Sequence, residues 1–306
     1  MKVTPMEIAI DNYMNLHRAL SSPRTVEYYE DVFRNFNEFI KNRGIIYVSD
    51  FSQDDFLAYI TMLRNRGIKN VSVNTYTRGI RAFANFCAAN DFIDKSFTTG
   101  IRNLRDDSAQ IFPLTSKQVR DIDEYLGQDP YTYEFKSTFA LRNYLIFHLM
   151  LDCGLRRQEV INLNIDDLQV NCLVIQNTKF NKSRIVPLPE KLLDYINLYL
   201  SGRSSGAVLL AKSKERLTAN CIRKIFYSMK KTTRIPVHPH MLRHTFATSF
   251  IVGGGNLEFL RILLGHASYN VTQRYLHIAA LCMISDIDIY KLDKCFFKNY
   301  NNREVF

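Results

Sequence analysis

Residues 240–244 read His240-Met241-Leu242-Arg243-His244, and this stretch decides how the rest of the chain is interpreted. Leu264-Gly265-His266 and then Tyr275 follow it. Arginine and histidine bring positive charge and exchangeable protons, whereas tyrosine brings a hydroxyl that can act as a nucleophile. In a basic chain, this combination indicates nucleophilic chemistry on a phosphate.

The chain has 306 residues and a net charge of +10, which is unevenly distributed. Residues 1–107 carry a net charge of +1, whereas residues 108–306 carry +9. Residues 203–234 contain a single acidic residue, Glu215, and nine basic ones. These are Arg203, Lys212, Lys214, Arg216, Arg223, Lys224, Lys230, Lys231 and Arg234. All but Arg234 are candidate contacts to nucleic-acid phosphates, although a solvated surface explains the patch equally well.

The composition also excludes several classes of protein. The six cysteines form no CxxC pair, so we expect reduced thiols rather than a zinc ribbon or a redox site. No apolar run approaches the roughly 20 residues of a membrane span, and the first residues lack a signal-peptide pattern. We therefore expect a cytoplasmic protein with no cofactor, no metal and no membrane partner.

Residues 1–107 are predicted to form a helical domain. Ser22-Pro23 is a helix start signal, Gly44 fits the end of that helix, and apolar residues recur between them at helical spacing. Further helices are expected before Leu20, at about 52–66 and at about 72–90. Residues 95–113 are polar and charged, and we interpret them as a linker between domains.

Residues 108–285 are predicted to form a second, mostly helical domain with a small antiparallel sheet, so the fold class is mainly α. Strands are expected at 172–175 and 185–186, with a turn at 177–183, and residues 207–211 are a candidate third strand. Helices are expected at about 139–153, from Arg156 onward, and at about 190–200, 218–231, 239–252, 257–264 and 271–280. Residues 286–306 form an apolar tail.

Five segments together resemble the motifs of one family. They are Gly154-Leu155-Arg156-Arg157-Gln158-Glu159, the predicted hairpin with Lys179, residues 240–244, residues 264–266, and Tyr275. In this order they are similar to the catalytic half of the tyrosine recombinases, also called phage integrases. The length is most like that of compact, two-domain Xer-type members. The first domain then resembles the SAM-like core-binding domain that contacts DNA.

The resemblance implies a role for each matching residue. Arg156, Arg243 and His266 would bind the scissile phosphate, and Tyr275 would attack it to form a 3′-phosphotyrosyl link. His240 would accept the tyrosine proton, and Lys179 would protonate the leaving 5′-oxygen. In supporting roles, Glu159 would orient Arg156, and His244 would orient its neighbours.

Each of these residues also has a simpler explanation when it is taken alone. Arg156 could merely pair with Glu159, and Tyr275 could belong to the core. His240 and His244 have the spacing of a zinc site, but Met241 stands where a zincin has glutamate, which argues against a metal. The turn around Lys179 departs from the family pattern, because Thr178 and Phe180 replace the usual glycines. Only the joint occurrence of these residues favours the family.

The resemblance also implies partners. They are double-stranded DNA with specific recombination sites, four copies of the chain on two such sites, and an accessory directionality factor. In such assemblies, residues 286–306 would dock on a neighbouring protomer, although packing on the same domain is the alternative. Strand exchange would pass through a Holliday junction on nucleoid DNA. Two other functions remain open: a DNA-binding protein of the same fold without catalysis, and a type IB topoisomerase-like enzyme.

Overall fold

The structure is a computed structural model that describes residues 3–105, 112–127, 134–177, 182–266, 268–285 and 287–298. It divides the chain into two compact units, Met1–Gln110 and Ile111–Phe306. Within the described ranges, none of the helices has the length and apolar character needed to cross a membrane.

The first unit contains the four predicted helices around an aromatic core. They are α1 Met6–Leu20, α2 Pro23–Arg43, α3 Gln53–Asn65 and α4 Asn70–Ala89, with a short 3-10 turn at Val48–Asp50. The start and end signals of α2 act as expected, since Pro23 is its first residue and Gly44 ends it with a left-handed φ of 67°. Phe36, Phe56 and Phe83 are fully buried between the helices.

The second unit is helical around one small sheet. Its elements are α5 Ser116–Tyr125, α6 Thr138–Leu151, α7 Arg157–Asn162, β1 Cys172–Asn177, β2 Lys182–Pro187, α8 Glu190–Leu200, α9 Ala219–Thr233, α10 Pro239–Val252, α11 Leu257–Leu264, α12 Tyr269–Ile284 and α13 Cys295–Lys298, with a 3-10 turn at Ile165–Asp167. β1 and β2 pair in antiparallel register, with Cys172 opposite Pro187. The apolar helix α6 lies in the core and packs against α8 and α10.

The predicted third strand at 207–211 is wrong. Within the described residues, the sheet has two strands, and this segment makes only isolated bridges, from Ala207 to Asn164 and from Leu210 to Arg216. The reason is that a side chain takes the carbonyls that a strand would use. Arg203 donates to the carbonyls of Ala207 and Val208, both at 2.8 Å.

The segment that follows α12 packs on its own unit as far as the structure describes it. Ile289 and Leu292 are buried. The Tyr290 amide donates to the Leu114 carbonyl at 2.9 Å, and the Tyr290 hydroxyl donates to Asp152 at 2.8 Å. These contacts agree with the alternative that the tail packs on its own domain. Docking of residues 286–306 on a neighbouring protomer stays a prediction.

Candidate active site

Arg156 lies at the start of α7, where the backbone turns out of the core. Gly154 makes this turn with a φ of +63°, and a side chain there would collide with the Phe246 ring at 2.6 Å. Arg156 then caps α7, because its amide donates to Glu159 Oε2 at 2.7 Å and its Nη1 donates to Glu159 Oε1 at 2.9 Å. The pairing of these two residues is therefore present, and 40% of the Arg156 side chain is still exposed.

Arg243 lies on α10 and is almost completely buried, with 3% exposure. Its Nη1 donates to the Gly154 carbonyl at 2.7 Å, and its Nη2 donates to the Leu264 carbonyl. Burial and the nearby charge of Arg156 lower the pKa of Arg243 to about 9, so the guanidinium still carries its charge at neutral pH. The two bonds use two of its five N–H groups and leave the others for a ligand.

The carboxyl end of α11 brings the arginines together. Three consecutive backbone carbonyls each accept a hydrogen bond from a different arginine. The Leu263 carbonyl accepts from Arg184 Nε at 2.7 Å, the Leu264 carbonyl from Arg243 Nη2, and the Gly265 carbonyl from Arg156 Nη2 at 3.0 Å. The last carbonyls of a helix have no partner inside the helix and carry partial negative charge. This helix end therefore offsets part of the repulsion between three neighbouring cations.

Arg184 on β2 is a residue that sequence reasoning missed. Its Nη1 and Nη2 form a bidentate ion pair with Glu159 Oε1 and Oε2 at 2.9 and 2.7 Å. Burial alone would raise the pKa of Glu159, but Arg184 and then Arg156 lower it to about 2. The available signal was the strand alternation, since Arg184 and Val186 are buried while Ile185 is exposed. A buried arginine needs a carboxylate partner.

His266 follows α11 directly and faces the inferred nucleophile. Its ring lies nearly parallel to that of Tyr275, with centroids 6.4 Å apart, and its Nδ1 is 2.9 Å from Thr272 Oγ1. Burial and the charges of Arg243 and Arg156 lower the pKa of His266 to about 3, so this ring is neutral at pH 7. It can therefore act as a hydrogen-bond donor through one nitrogen.

Tyr275 lies on α12 with only 4% of its surface exposed. Burial raises the pKa of its hydroxyl, whereas the charges of Arg243 and Arg156 oppose that rise. The tyrosine is therefore protonated at neutral pH and lies close enough to both guanidiniums to interact with them electrostatically.

The two histidines of α10 differ in their surroundings. The His244 ring packs against both Tyr275, at 5.0 Å between centroids, and His240, at 4.8 Å. Burial and the nearby His240 lower the pKa of His244 to about 4, and its buried Nδ1 has no hydrogen-bond partner among the described residues. His240 lies at the protein surface, where partial burial and Arg243 lower its pKa.

A second residue that the sequence did not single out is His238. Its Nδ1 accepts from the Met241 amide at 3.2 Å and caps α10, with Pro239 as the first helical residue. His238, His240, Arg156 and Arg243 line an open surface pocket of about 340 Å³. This volume is larger than a phosphate group, and both arginines border it.

The other predicted site residues are distributed as follows. Lys179 lies outside the described residues. Arg203 and Arg216 bond within the protein, the latter through its Nη1 to the Ile161 carbonyl at 2.9 Å. The remaining six predicted DNA contacts are exposed, namely Lys212, Lys214, Arg223, Lys224, Lys230 and Lys231. The described part of the chain contains no group of three side chains that could hold a metal ion.

Comparison with known proteins matches both units of the chain. Residues 114–281 match the Phage integrase family, and residues 8–101 match the Phage integrase SAM-like domain. A tyrosine recombinase of Pseudothermotoga lettingae is 30% identical over 287 residues, which cover 89% of this chain and 94% of that protein. Tyrosine recombinase XerA of Pyrococcus furiosus is 29% identical over 233 residues, covering 74% and 76%.

Among solved structures, the fold is similar to that of the Tn1549 transposon integrase in complex with circular intermediate DNA. The two superimpose with a TM-score of 0.75 at 19% identity, covering 92% of this chain and 99% of the integrase chain. At this identity the likeness is one of fold.

Proposed function

This chain belongs to the phage integrase family, and on that premise we propose that it is a site-specific DNA recombinase of the tyrosine type. The observation that carries the proposal is the convergence of four side chains from separate parts of the second unit. Arg156, Arg243, His266 and Tyr275 lie around one helix end, with the tyrosine within electrostatic reach of both guanidiniums.

In the proposed reaction, Arg156 and Arg243 bind the nonbridging oxygens of the scissile phosphate. Planar guanidinium groups suit this task because they donate two parallel hydrogen bonds. We assign the proton between them to the Thr272 hydroxyl, 2.9 Å from His266 Nδ1, which leaves the ring proton on Nε2 for the phosphate. Removal of one such preorganised donor typically costs about 3–4 kcal/mol of transition-state stabilisation.

The Tyr275 oxygen attacks the phosphorus and forms a 3′-phosphotyrosyl bond, while the bond from phosphorus to the 5′-oxygen breaks. The tyrosine proton leaves towards His240, and the His244 ring lies between the two. Lys179 gives a proton to the 5′-oxygen. Religation reverses these steps with the 5′-hydroxyl of another strand, so the covalent link conserves the bond energy without ATP or a metal.

The partners follow from the same proposal. The substrate is double-stranded DNA, which the exposed lysines and arginines of residues 212–231 contact through phosphates. Four copies of the chain act on two DNA sites in the cytoplasm, and strand exchange passes through a Holliday junction. Residues 286–306 of each copy dock on a neighbouring copy. An accessory factor sets the direction of recombination. Analytical ultracentrifugation with DNA tests the assembly: complexes that stay monomeric at saturating protein contradict it.

A nicked duplex, from which the short fragment that bears the new 5′-hydroxyl diffuses away after cleavage, tests the chemistry. Its site is selected from a library of random duplexes by retention on the Tyr275→Phe protein. We expect a covalent protein–DNA adduct with the wild-type protein and none with Tyr275→Phe. Binding without an adduct would favour a catalytically silent DNA-binding protein, and adducts on any sequence would favour a topoisomerase-like enzyme.

A further inference from the structure

Arg184 connects three parts of the candidate active site with a single side chain. It extends from β2, and its Nη1 and Nη2 hold both oxygens of Glu159. Its third guanidinium nitrogen, Nε, donates to the Leu263 carbonyl at 2.7 Å, three residues before His266. Only 7% of the side chain is exposed, so these contacts are sealed from water.

The contacts make Arg184 a counterpart of Arg156 rather than a ligand of the phosphate. Glu159 accepts from both arginines, and the two guanidiniums also take carbonyls of the same turn, Leu263 and Gly265. Gly265 is packed so closely that a Cβ atom there would lie 3.1 Å from Arg184 Nη1. Any shift of Arg184 is therefore transmitted to the carboxylate that holds Arg156 and to the turn that precedes His266.

We propose that Arg184 is a positioning residue for DNA cleavage, which holds both carboxylate oxygens of Glu159 beside Arg156 and fastens the β1–β2 hairpin to the turn that carries His266. This inference rests on the proposed recombinase function. It assigns to the hairpin a task besides carrying Lys179, because β2 contributes the buried cation that completes the site.

The test compares Arg184→Met and Arg184→Lys with the wild-type protein on the selected nicked duplex, with adduct formation measured at saturating protein and DNA affinity measured separately. We expect Arg184→Met to lower the rate of adduct formation by about 100-fold while its DNA affinity stays within about threefold. Arg184→Lys restores a charge but not the bidentate geometry, so it recovers part of the rate. Glu38→Gln, which breaks an exposed bidentate pair with Arg66 in the first unit and removes no cation, is the matched control and leaves the rate unchanged.

Two further readouts distinguish positioning from mere structural support. In Arg184→Met, Glu159 keeps Arg156 but loses its stronger partner, so its pKa rises and the adduct rate falls more steeply than the wild-type rate as the pH is lowered from 8 to 5. Arg184→Met combined with Glu159→Gln loses less activity than the sum of the two single losses, because the two residues share one contact.

Additive losses, or a parallel decline of thermal stability, affinity and rate in both Arg184 variants, would overturn the assignment. A wild-type protein that forms no adduct would instead refute the recombinase proposal itself. A wild-type rate that persists in Arg184→Met refutes only the positioning role.

Discussion

Replacing Asp123 with asparagine should remove a large, pH-dependent part of the stability of the second unit. Asp123 Oδ1 lies 2.8 Å from Nε2 of His148, and Asp152 Oδ2 lies 2.7 Å from Nδ1 of the same ring. Both ring nitrogens therefore face a carboxylate, and the ring holds two protons and a positive charge. With 4% of the side chain exposed, solvent does little to screen these pairs.

The size of the effect follows from the pKa. Burial alone would lower the pKa of His148, but the two carboxylates outweigh it and raise the pKa from 6.5 to about 10. A rise of this size corresponds to on the order of 5 kcal/mol of stability, at about 1.4 kcal/mol per unit. Because the pKa is raised, the stabilisation is complete below pH 6.5 and is lost as the pH rises through about 10. Loss of one of two carboxylates should cost roughly half of it, about 2–3 kcal/mol at pH 6.

The chain has no tryptophan, so urea unfolding is best followed by circular dichroism at pH 6, 8 and 10. We expect the difference between wild type and Asp123→Asn to stay large at pH 6 and 8 and to shrink markedly by pH 10. Asp121→Asn, an exposed carboxylate on the same helix, is the matched control and should show no such trend. A cost of Asp123→Asn that is equal at pH 6 and pH 10 would refute a charged His148.

Three further substitutions test the candidate active site. Arg243→Lys should lower adduct formation by about 100-fold or more with little change in DNA affinity, as measured on the nicked duplex, because lysine cannot reproduce two directed bonds and a phosphate contact. Gly265→Ala should destabilise the second unit by about 1–2 kcal/mol in urea unfolding, because the residue has a φ of +59° and lies against Arg184. An unchanged unfolding midpoint would show that alanine causes no backbone strain there. His244→Phe keeps the ring contact with Tyr275 and removes the buried, unpaired Nδ1. We therefore expect the free energy of unfolding to rise by about 1 kcal/mol. A loss of stability would show that Nδ1 has a partner.

The parts of the fold that could be predicted to the residue have local start and stop signals. Helices α10 and α11 begin and end where the sequence predicts, since Pro239 opens the first, and Asn256 and Gly265 bracket the second. α12 begins at Tyr269 and runs to Ile284, beyond the predicted 271–280 at both ends, because most of its last turn is exposed and its apolar pattern gives no clear end. Where local signals are weak, the boundaries depend on packing that the sequence does not display.

The candidate site also has parts that local motifs predict and parts that depend on contacts between distant residues. Arg156, Arg243, His266 and Tyr275 could be singled out because each lies in a recognisable motif, and the structure brings these four side chains together. The contacts of Arg184 could not, because its partner Glu159 lies 25 residues earlier and the other acceptor is a main-chain carbonyl. Backbone acceptors have no signature in the sequence, so the role of the α11 end became visible only in three dimensions.

That helix end also explains how the site can hold so much positive charge before DNA arrives. Arg156 and Arg184 pair with one carboxylate, Glu159, which also attracts the nearby Arg243, and like charges this close would separate in a site without further acceptors. The carbonyls at the end of α11 supply those acceptors without adding a titratable group. His266 and His244 are kept neutral by burial and by these cations, so the charge facing a phosphate belongs to arginines, which do not titrate in the physiological range. A phosphate that enters the pocket thus meets a charge excess already fixed in place, and its negative charge relieves the repulsion that remains.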